Sequence, residues 1–517
     1  MPLSRRSFLQ LSGAAAFVPA WPRLLPAATA LDNATLCRRL ASDPLRPQYH
    51  LLPAHNWMND PNGPIYFRGR YHMFHQYNPQ AAVWGNMNWA HAISPDMIRW
   101  QHEPIAISPT ADGPDRDGVF SGSAVLDEGK PTVIYTAVAS PASEADATLR
   151  DGAHTWRETQ CLAVAQDDDL RVWKKLSEPV IAAPPVGMAV TGFRDPALWR
   201  EGNRWMLILG SGTLERGGAI LLYTSTDLRH WTYLHPLVEG APSDRKSSNP
   251  VDTGDMWECP DFFPLGNKHV LLISTMDKVR WKVGSYANQR FTPEKEGVVD
   301  WGSYYAAKTM LDADGKRILW GWIPETRRDA ELIAAGWAGV MSLPRTLSLT
   351  AENELQTMVH PCAHALRGKH SQVDPRQSAG SRWKALDTSP IADLAAEIEL
   401  EVLPKANRFA LEMKSYDGLV FATIGYSVDE GKCQLRINDV AAPLAGSPGS
   451  AVRLHIFLDG SVLEVFANDT TALTARIYKG PTPLLRLTLQ GDAALTSLNM
   501  WQMNPISKDR LTGSLCS

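Results

Sequence analysis

The chain has 517 residues, 44% of them hydrophobic and 21% charged, with Lys+Arg 51 against Asp+Glu 55 for a formal charge of -4. That length exceeds the usual domain of about 100–150 residues severalfold and calls for at least two domains. The balanced charge excludes the basic stripe of a nucleic-acid binder, and the hydrophobic content excludes a largely disordered chain. Six cysteines in this length do not form a disulfide scaffold. Trp 18 against Tyr 13 and Phe 13 supplies flat amphipathic rings of the kind that stack on sugars. Gly 37 and Pro 37, spread along the chain, predict many short strands and turns.

The chain opens with Arg5 and Arg6 ahead of an apolar stretch from Phe8 to Val18, followed by the small residues Ala28-Thr29-Ala30. Ser-Arg-Arg-x-Phe-Leu predicts a twin-arginine-type export signal over residues 1–30, with a mature protein that starts near Leu31. The alternative is a short buried helix behind a chance Arg pair. The apolar stretch is shorter than the roughly 20 residues of a membrane span. The expectation is therefore a protein outside the cytoplasm, periplasmic or extracellular, with no membrane association once the signal is removed.

From Arg46 to about Arg345 one unit recurs: a glycine turn, a polar or basic residue, then an apolar run. Its glycines are Gly69, Gly129, Gly202, Gly266 and Gly315, spaced by 60, 73, 64 and 49 residues. Each reads as a β-hairpin. A second motif, Asp-x-x-x-Trp, falls at Asp96/Trp100, Asp169/Trp173 and Asp227/Trp231 after strand-like runs. A repeated all-strand unit of this size is the signature of a β-propeller, here with five blades over residues 44–350. A β-sandwich with evenly spaced turns is the competing reading. Residues 351–388 are polar and irregular and read as a linker. Over residues 389–517 alternation such as Glu397-Ile398-Glu399-Leu400-Glu401-Val402, and the Asp459-Gly460 hairpin, predict a β-sandwich.

Three acids stand next to prolines: Asp60 before Pro61, Asp195 before Pro196, and Glu258 one residue further from Pro260. Proline fixes the preceding residue as extended and donates nothing to a sheet ladder, so it suits an edge strand, and the innermost strand of a blade is an edge. Separations of 135 and 63 residues place the acids in blades one, three and four, at equivalent positions, with Phe120-Ser121-Gly122-Ser123 the counterpart in blade two. Converging acids can bind a cation, do acid–base work or cap turns. A calcium site takes six to eight oxygens, which the Trp-rich flanks do not supply, so no metal is expected. Two carboxylates with a neighbouring Arg194 and many aromatics fit glycoside hydrolysis, in which one carboxylate is the nucleophile and one protonated carboxyl the general acid.

At these residues the chain resembles glycoside hydrolase family 32, the invertases, levanases and inulinases. The resemblance is carried by HNWMNDPNGPIYFRGRYHMFHQYNP, AVWGNMNWAHAIS, FSGSA, GFRDPALW, MWECPDFFPL, YYAAKT, ILWGW and HIFLDGSVLEVFAND, in that order over nearly the whole mature chain. It implies a five-bladed propeller followed by a β-sandwich, and no cofactor. It implies Asp60 as nucleophile on the anomeric C2 of a β-fructofuranosyl unit, Glu258 as acid and then base, and Asp195 with Arg194 as holders of the ring hydroxyls. It implies substrate contacts at Trp57, Asn59, Gln76, Trp84, Phe120, Ser121 and Asp277. Packing is the alternative role for the aromatics, and satisfaction of a buried backbone the alternative for Gln76.

Glu258 must stay protonated near working pH, which a partly apolar wall and neighbouring carboxylates would favour. Cys259 as a nucleophile is a competing reading with no nearby His in sequence to serve as its base. Asp277-Lys278 stands where plant relatives carry an acid and a base that define sucrose preference, and Asn86 stands where related chains often have Asp. Cys362 and Cys433 are candidates for a bridge, with Cys161 and Cys259 free. The expected activity is release of terminal fructose from sucrose or short fructans. Exo-levanase, exo-inulinase or fructosyltransferase activity are the alternatives within the class, and non-catalytic sugar binding is the alternative outside it.

Overall fold

The computed structural model describes residues 32–373, 383–385, 390–480 and 484–513. The expected export signal lies outside them. A helix, Asn33–Ser42, leads into five small antiparallel sheets. Blade one comprises β1 (Asn56–Phe67), β2 (Arg70–Asn78), β3 (Asn88–Ser94) and β4 (Gln101–Ile107). Blade two has β5 (Gly118–Asp127), β6 (Lys130–Ala139), a short β7 (Leu149–Arg150), β8 (Thr155–Ala165) and β9 (Trp173–Lys175). Blade three is β10 (Phe193–Glu201), β11 (Arg204–Thr213), β12 (Gly217–Ser225) and β13 (Thr232–Glu239); blade four is β14 (Glu258–Leu265), β15 (Lys268–Thr275), β16 (Lys278–Ala287) and β17 (Arg290–Val298). Blade five starts with β18 (Tyr305–Leu311) and β19 (Arg317–Ile323). After β20 (Trp337–Ala338) and β21 (Val340–Met341) it ends with β22 (Arg345–Leu349) and β23 (Leu355–Val359).

The five hairpin glycines sit in the turns between the first and second strands of the blades, all with positive φ, from 57° at Gly202 to 79° at Gly129. Asp96 and Asp227 cap the turn before the outermost strand by accepting backbone N–H groups, from Ile98 and Arg99 and from Arg229 and His230. In blade two that role falls to Asp167 rather than Asp169, because the turn there is set two residues earlier.

Side chains of a strand alternate between its two faces, and here each face packs on a different neighbour. On β2, Met73 joins a core shared with Met310, Ile318 and Trp320 of blade five, while Phe74 joins one shared with Val133 and Tyr135 of blade two. On β15, Leu271 and Ile273 face blade three and Val270 and Leu272 face blade five. Blades buried on both faces explain the near-continuous apolar runs of the middle strands. The ring closes where β20 pairs in parallel with the start of β1, Asn56 opposite Trp337 and Trp57 opposite Ala338, while β21 pairs with β19.

Part of the stretch read as a linker is strand. Leu355–Val359 completes blade five, and β24 (Arg367–Gln372) already pairs with the last strand of the second domain. An outermost strand with one wetted face reads as polar, which is why its sequence looked irregular. The second domain continues with β25 (Trp383–Ala385), β26 (Ile391–Ala392), β27 (Ala395–Ser415), β28 (Val420–Asp429), β29 (Lys432–Ile437) and β30 (Val440–Pro443). It ends with β31 (Val452–Asp459), β32 (Val462–Ala467), β33 (Thr471–Arg476) and β34 (Leu484–Met503). The long strands β27 and β34 pair with each other along both layers of a sandwich. Their register breaks between Pro404 and Phe409, where Gly491 takes φ 92°. Beyond that break β27 leaves β31 and joins β28. Ile398, Leu400 and Val402 all point into the sandwich core, as their alternation predicts.

Candidate active site

The innermost strands β1, β5, β10, β14 and β18 line the channel, and each carries a β-bulge at the same place. Residues 59–60, 120–121, 195–196, 259–260 and 306–307 are the two that oppose a single residue on the neighbouring strand. A bulge breaks the alternation of side chains and re-aims them. Adjacent residues can then meet on one side: Asn59 Nδ2 donates to Asp60 Oδ1 at 3.0 Å. Asp195, Cys259 and Ala306, the first bulge residues of three blades, take positive φ of 66°, 48° and 53°.

Aligned by their bulges, the three acids are not at equivalent positions. Glu258 stands just before its bulge, Asp195 is the first bulge residue and Asp60 the second. They occupy three successive layers of the channel, with exposures of 6%, 3% and 2% in that order. The reason is local: Pro196 and Pro260 are both second bulge residues, so Asp195 and Glu258 differ by their distance from proline, whereas Pro61 follows its bulge and carries Asp60 one position further along. The first layer joins equivalent residues of three blades. Arg194 Nε and Nη2 donate to Glu258 Oε1 at 3.2 and 3.0 Å, and Tyr305 OH donates to Glu258 Oε2 at 2.7 Å. In the second layer Cys259 N donates to Asp195 Oδ2 at 2.9 Å, and the amide of Asp195 donates to Thr136 Oγ1. In the third, Ser121 Oγ donates to Asp60 Oδ2 at 2.7 Å. Cys259 Sγ lies 3.5 Å from an oxygen of both Asp60 and Asp195, so one sulfur spans the gap between these two carboxylates.

The second and third layers sit in unlike surroundings. Asp60 accepts from a hydroxyl and an amide. Burial, with Glu258 and Asp60 adding negative charge against the pull of Arg194, pushes the Asp195 carboxyl up to about 6. Burial and the surrounding carboxylates push the Cys259 thiol well above its usual range, which makes it inert as a nucleophile. The wall around Glu258 is more polar than expected. Trp257 packs outward between blades three and four, and Arg194 and Tyr305 take the carboxylate oxygens.

The other residues singled out in the sequence gather around this array. Gln76 joins two of them, its Oε1 accepting from Asn59 and its Nε2 donating to Ser121 at 2.9 Å, so it serves the site rather than a backbone group. Trp57 Nε1 donates to Asn59 Oδ1 at 2.7 Å and its ring meets Trp322 edge to face. Trp84, half-buried, and Phe120 form a collar with Trp156 and His154. Asp277 is exposed at the turn before β16 and lines a small cavity with Tyr305. Lys278 lines the same cavity, its Nζ donating to the carbonyls of Trp301 and Gly302 at 2.6 and 3.1 Å. Asn86 is exposed and donates to Gln80. Cys161, Cys259, Cys362 and Cys433 are free thiols, so the bridge considered between Cys362 and Cys433 is absent.

Two further residues belong to the site. Tyr305 opens the segment before the fifth hairpin, and the interval that separates Arg194 and Glu258 from Gly202 and Gly266 would nearly have located it ahead of Gly315. Glu158 is fully buried and its Oε1 accepts from Arg194 Nη1 at 2.8 Å. It lies on β8, away from every motif, and no sequence signal marks it.

Carboxylates from three propeller blades, sharing a channel with one arginine and rimmed by aromatic rings, define a glycoside hydrolase of the propeller–sandwich class. The chain belongs to glycosyl hydrolase family 32: the family's N-terminal domain matches residues 50–361 and its C-terminal domain residues 363–502. It is 34% identical to a sucrose-6-phosphate hydrolase of Escherichia coli, over 88% of this chain and 94% of the relative. It is 37% identical to a cell-wall β-fructofuranosidase of Zea mays, over 70% and 64%. Its fold matches fructan 1-exohydrolase IIa of Cichorium intybus with a TM-score of 0.75 at 26% identity, covering 89% of this chain and 98% of that one.

Proposed function

We propose that the protein releases terminal β-D-fructofuranosyl units from sucrose or short fructans with retention at C2. The observation that carries this reading is the set of three carboxylates held in unlike environments around Cys259. An Asp60 oxygen attacks C2 while the bond from C2 to the leaving oxygen breaks and Glu258 gives that oxygen its proton. Water then attacks C2 of the fructosyl ester, Glu258 takes a proton from it, and Asp60 leaves as carboxylate. The donors Ser121 and Asn59 hold both oxygens of Asp60 and orient it as attacking group, and Asp195 accepts from ring hydroxyls and stabilises the cationic transition state. Trp84, Phe120 and Trp156 offer apolar faces to the sugar rings.

The E. coli relative is named for a phosphorylated sucrose. Here Arg194 is engaged by Glu158 and Glu258, and Lys278 by two carbonyls, which favours a neutral disaccharide. Export through the twin-arginine route fits this, since the enzyme would meet its sugar outside the cell, and Cys37 is disulfide-bonded as an oxidising compartment permits. Reducing-sugar release from sucrose, sucrose 6-phosphate, inulin and levan tests the reading. Asp60→Ala and Glu258→Ala are each expected to lower kcat by about three to five orders of magnitude with the fold intact. Wild-type protein that binds these sugars and releases no fructose would overturn it.

A further inference from the structure

The Arg194 guanidinium lies within hydrogen-bond reach of Glu258, and it is shared. Glu158 Oε1 takes Nη1 at 2.8 Å, while Glu258 Oε1 takes Nε and Nη2. The Glu158 carboxylate is itself fixed. Its Oε2 accepts from the amide of Phe193 at 2.6 Å and from Thr148 Oγ1 at 3.2 Å, and its own amide donates to Thr148 Oγ1. All three partners are buried, so nothing screens these charges from one another.

This geometry resolves a conflict in the site. Glu258 must carry a proton to act as acid, yet a full positive charge pressed against its oxygen holds it ionised. A second carboxylate on the far side of the same guanidinium offsets that charge. We infer that Glu158 is a positioning residue of the hydrolysis, which orients Arg194 across the channel and neutralises it so that Glu258 retains its proton.

The inference rests on the reading of Glu258 as the acid. The other charged and titratable groups facing this pair are Asp60 on β1, Asp195 on β10, Cys259 on β14, and Tyr305 and Lys308 on β18. Lys308 Nζ is bound to the carbonyl of Pro260 at 2.8 Å, one bulge away from Glu258. Glu158 takes Nη1, on the edge of the guanidinium opposite the one that Glu258 takes.

The test is the pH profile of kcat/KM on sucrose for wild type, Glu158→Gln and Glu158→Asp. The amide of Gln keeps an acceptor for Phe193 and removes the charge. Its alkaline limb is expected to move to lower pH by about half a unit to one unit. The Asp variant, which withdraws the carboxylate by one methylene, should move the limb in the same direction by less. A limb that stays in place in whichever variant folds, with rate lost equally at all pH values, would reduce Glu158 to a structural anchor and overturn the inference. A Glu258→Gln control separates the two readings. If its residual activity lacks the alkaline limb, the acid is correctly assigned and only the role of Glu158 is at stake; a limb that persists refutes the acid assignment first.

Discussion

Asp195 shows what the site costs the fold. Its carboxyl is buried among two other acids, and its folded pKa of about 6 stands above the ordinary 3.8. A raised folded pKa means that this group's contribution to stability is fully present below pH 3.8 and is lost as pH rises through about 6. At neutral pH the ionised form is held against its preference. Asp195→Asn keeps an acceptor for the amide of Cys259 and removes the charge. It should abolish most fructose release yet raise stability by roughly 1–3 kcal/mol above pH 6, with little gain at pH 4. Melting curves at the two pH values check this, and a variant less stable than wild type at pH 8 would contradict it.

Among the elements, the bulged innermost strand and the closing segment carry the most consequence. The bulge decides which side chains reach the axis, and β20 decides whether the ring stays shut. Gly339, between β20 and β21, has φ 81°, and a Cβ there would lie 1.9 Å from the carbonyl oxygen of Met58 at the head of the Asp60 strand. Backbone cannot yield as a side-chain tip does, so closure must loosen. Gly339→Ala should cost about 2–4 kcal/mol and lower kcat, since Trp57 and Asn59 sit on the displaced strand. Denaturant unfolding together with a sucrose assay measures both, and an unchanged midpoint would refute the role assigned to this segment.

Across the whole molecule, a buried ionic cluster fastens the propeller to the sandwich. His50 Nδ1 lies 2.8 Å from Asp459 and Nε2 2.9 Å from Glu464, all three inaccessible to solvent. Arg345 of blade five reaches Glu464 and also Asp300, which accepts from the Thr474 amide of the sandwich. Burial opposes the charge on His50, but the hydrogen bonds to the two acids outweigh it and raise its pKa to about 9. Burial likewise opposes the charge on Glu464, and Arg345 followed by His50 holds its pKa down at about 2. The His50 contribution is complete below about pH 6.5 and lost as pH rises through 9. That of Glu464 is complete above about 4.5 and lost toward 2. The clamp is therefore strongest between these limits. His50→Gln leaves two buried carboxylates short of a cation and should cost about 3–5 kcal/mol at pH 6. The difference from wild type should narrow by pH 10; a gap that is constant with pH would show that the imidazolium charge contributes nothing.

The hairpin glycines, the capping aspartates and the acids beside prolines are local signals, dictated by turn geometry and by the missing N–H of proline. The sequence alone therefore fixes five blades, their order and the three carboxylates that meet. The alternation through β27 marks the sandwich for the same reason. What tertiary structure decides is everything set by closure of the ring. The bulge offsets place Glu258, Asp195 and Asp60 in successive layers instead of one, and Arg194 is divided between Glu258 and a Glu158 brought in from the third long strand of another blade. The outer edge of blade five lies within a stretch too polar to announce itself as strand. Contacts across a channel join residues dozens of positions apart with no local partner, so the chain leaves no mark of them until the blades pack.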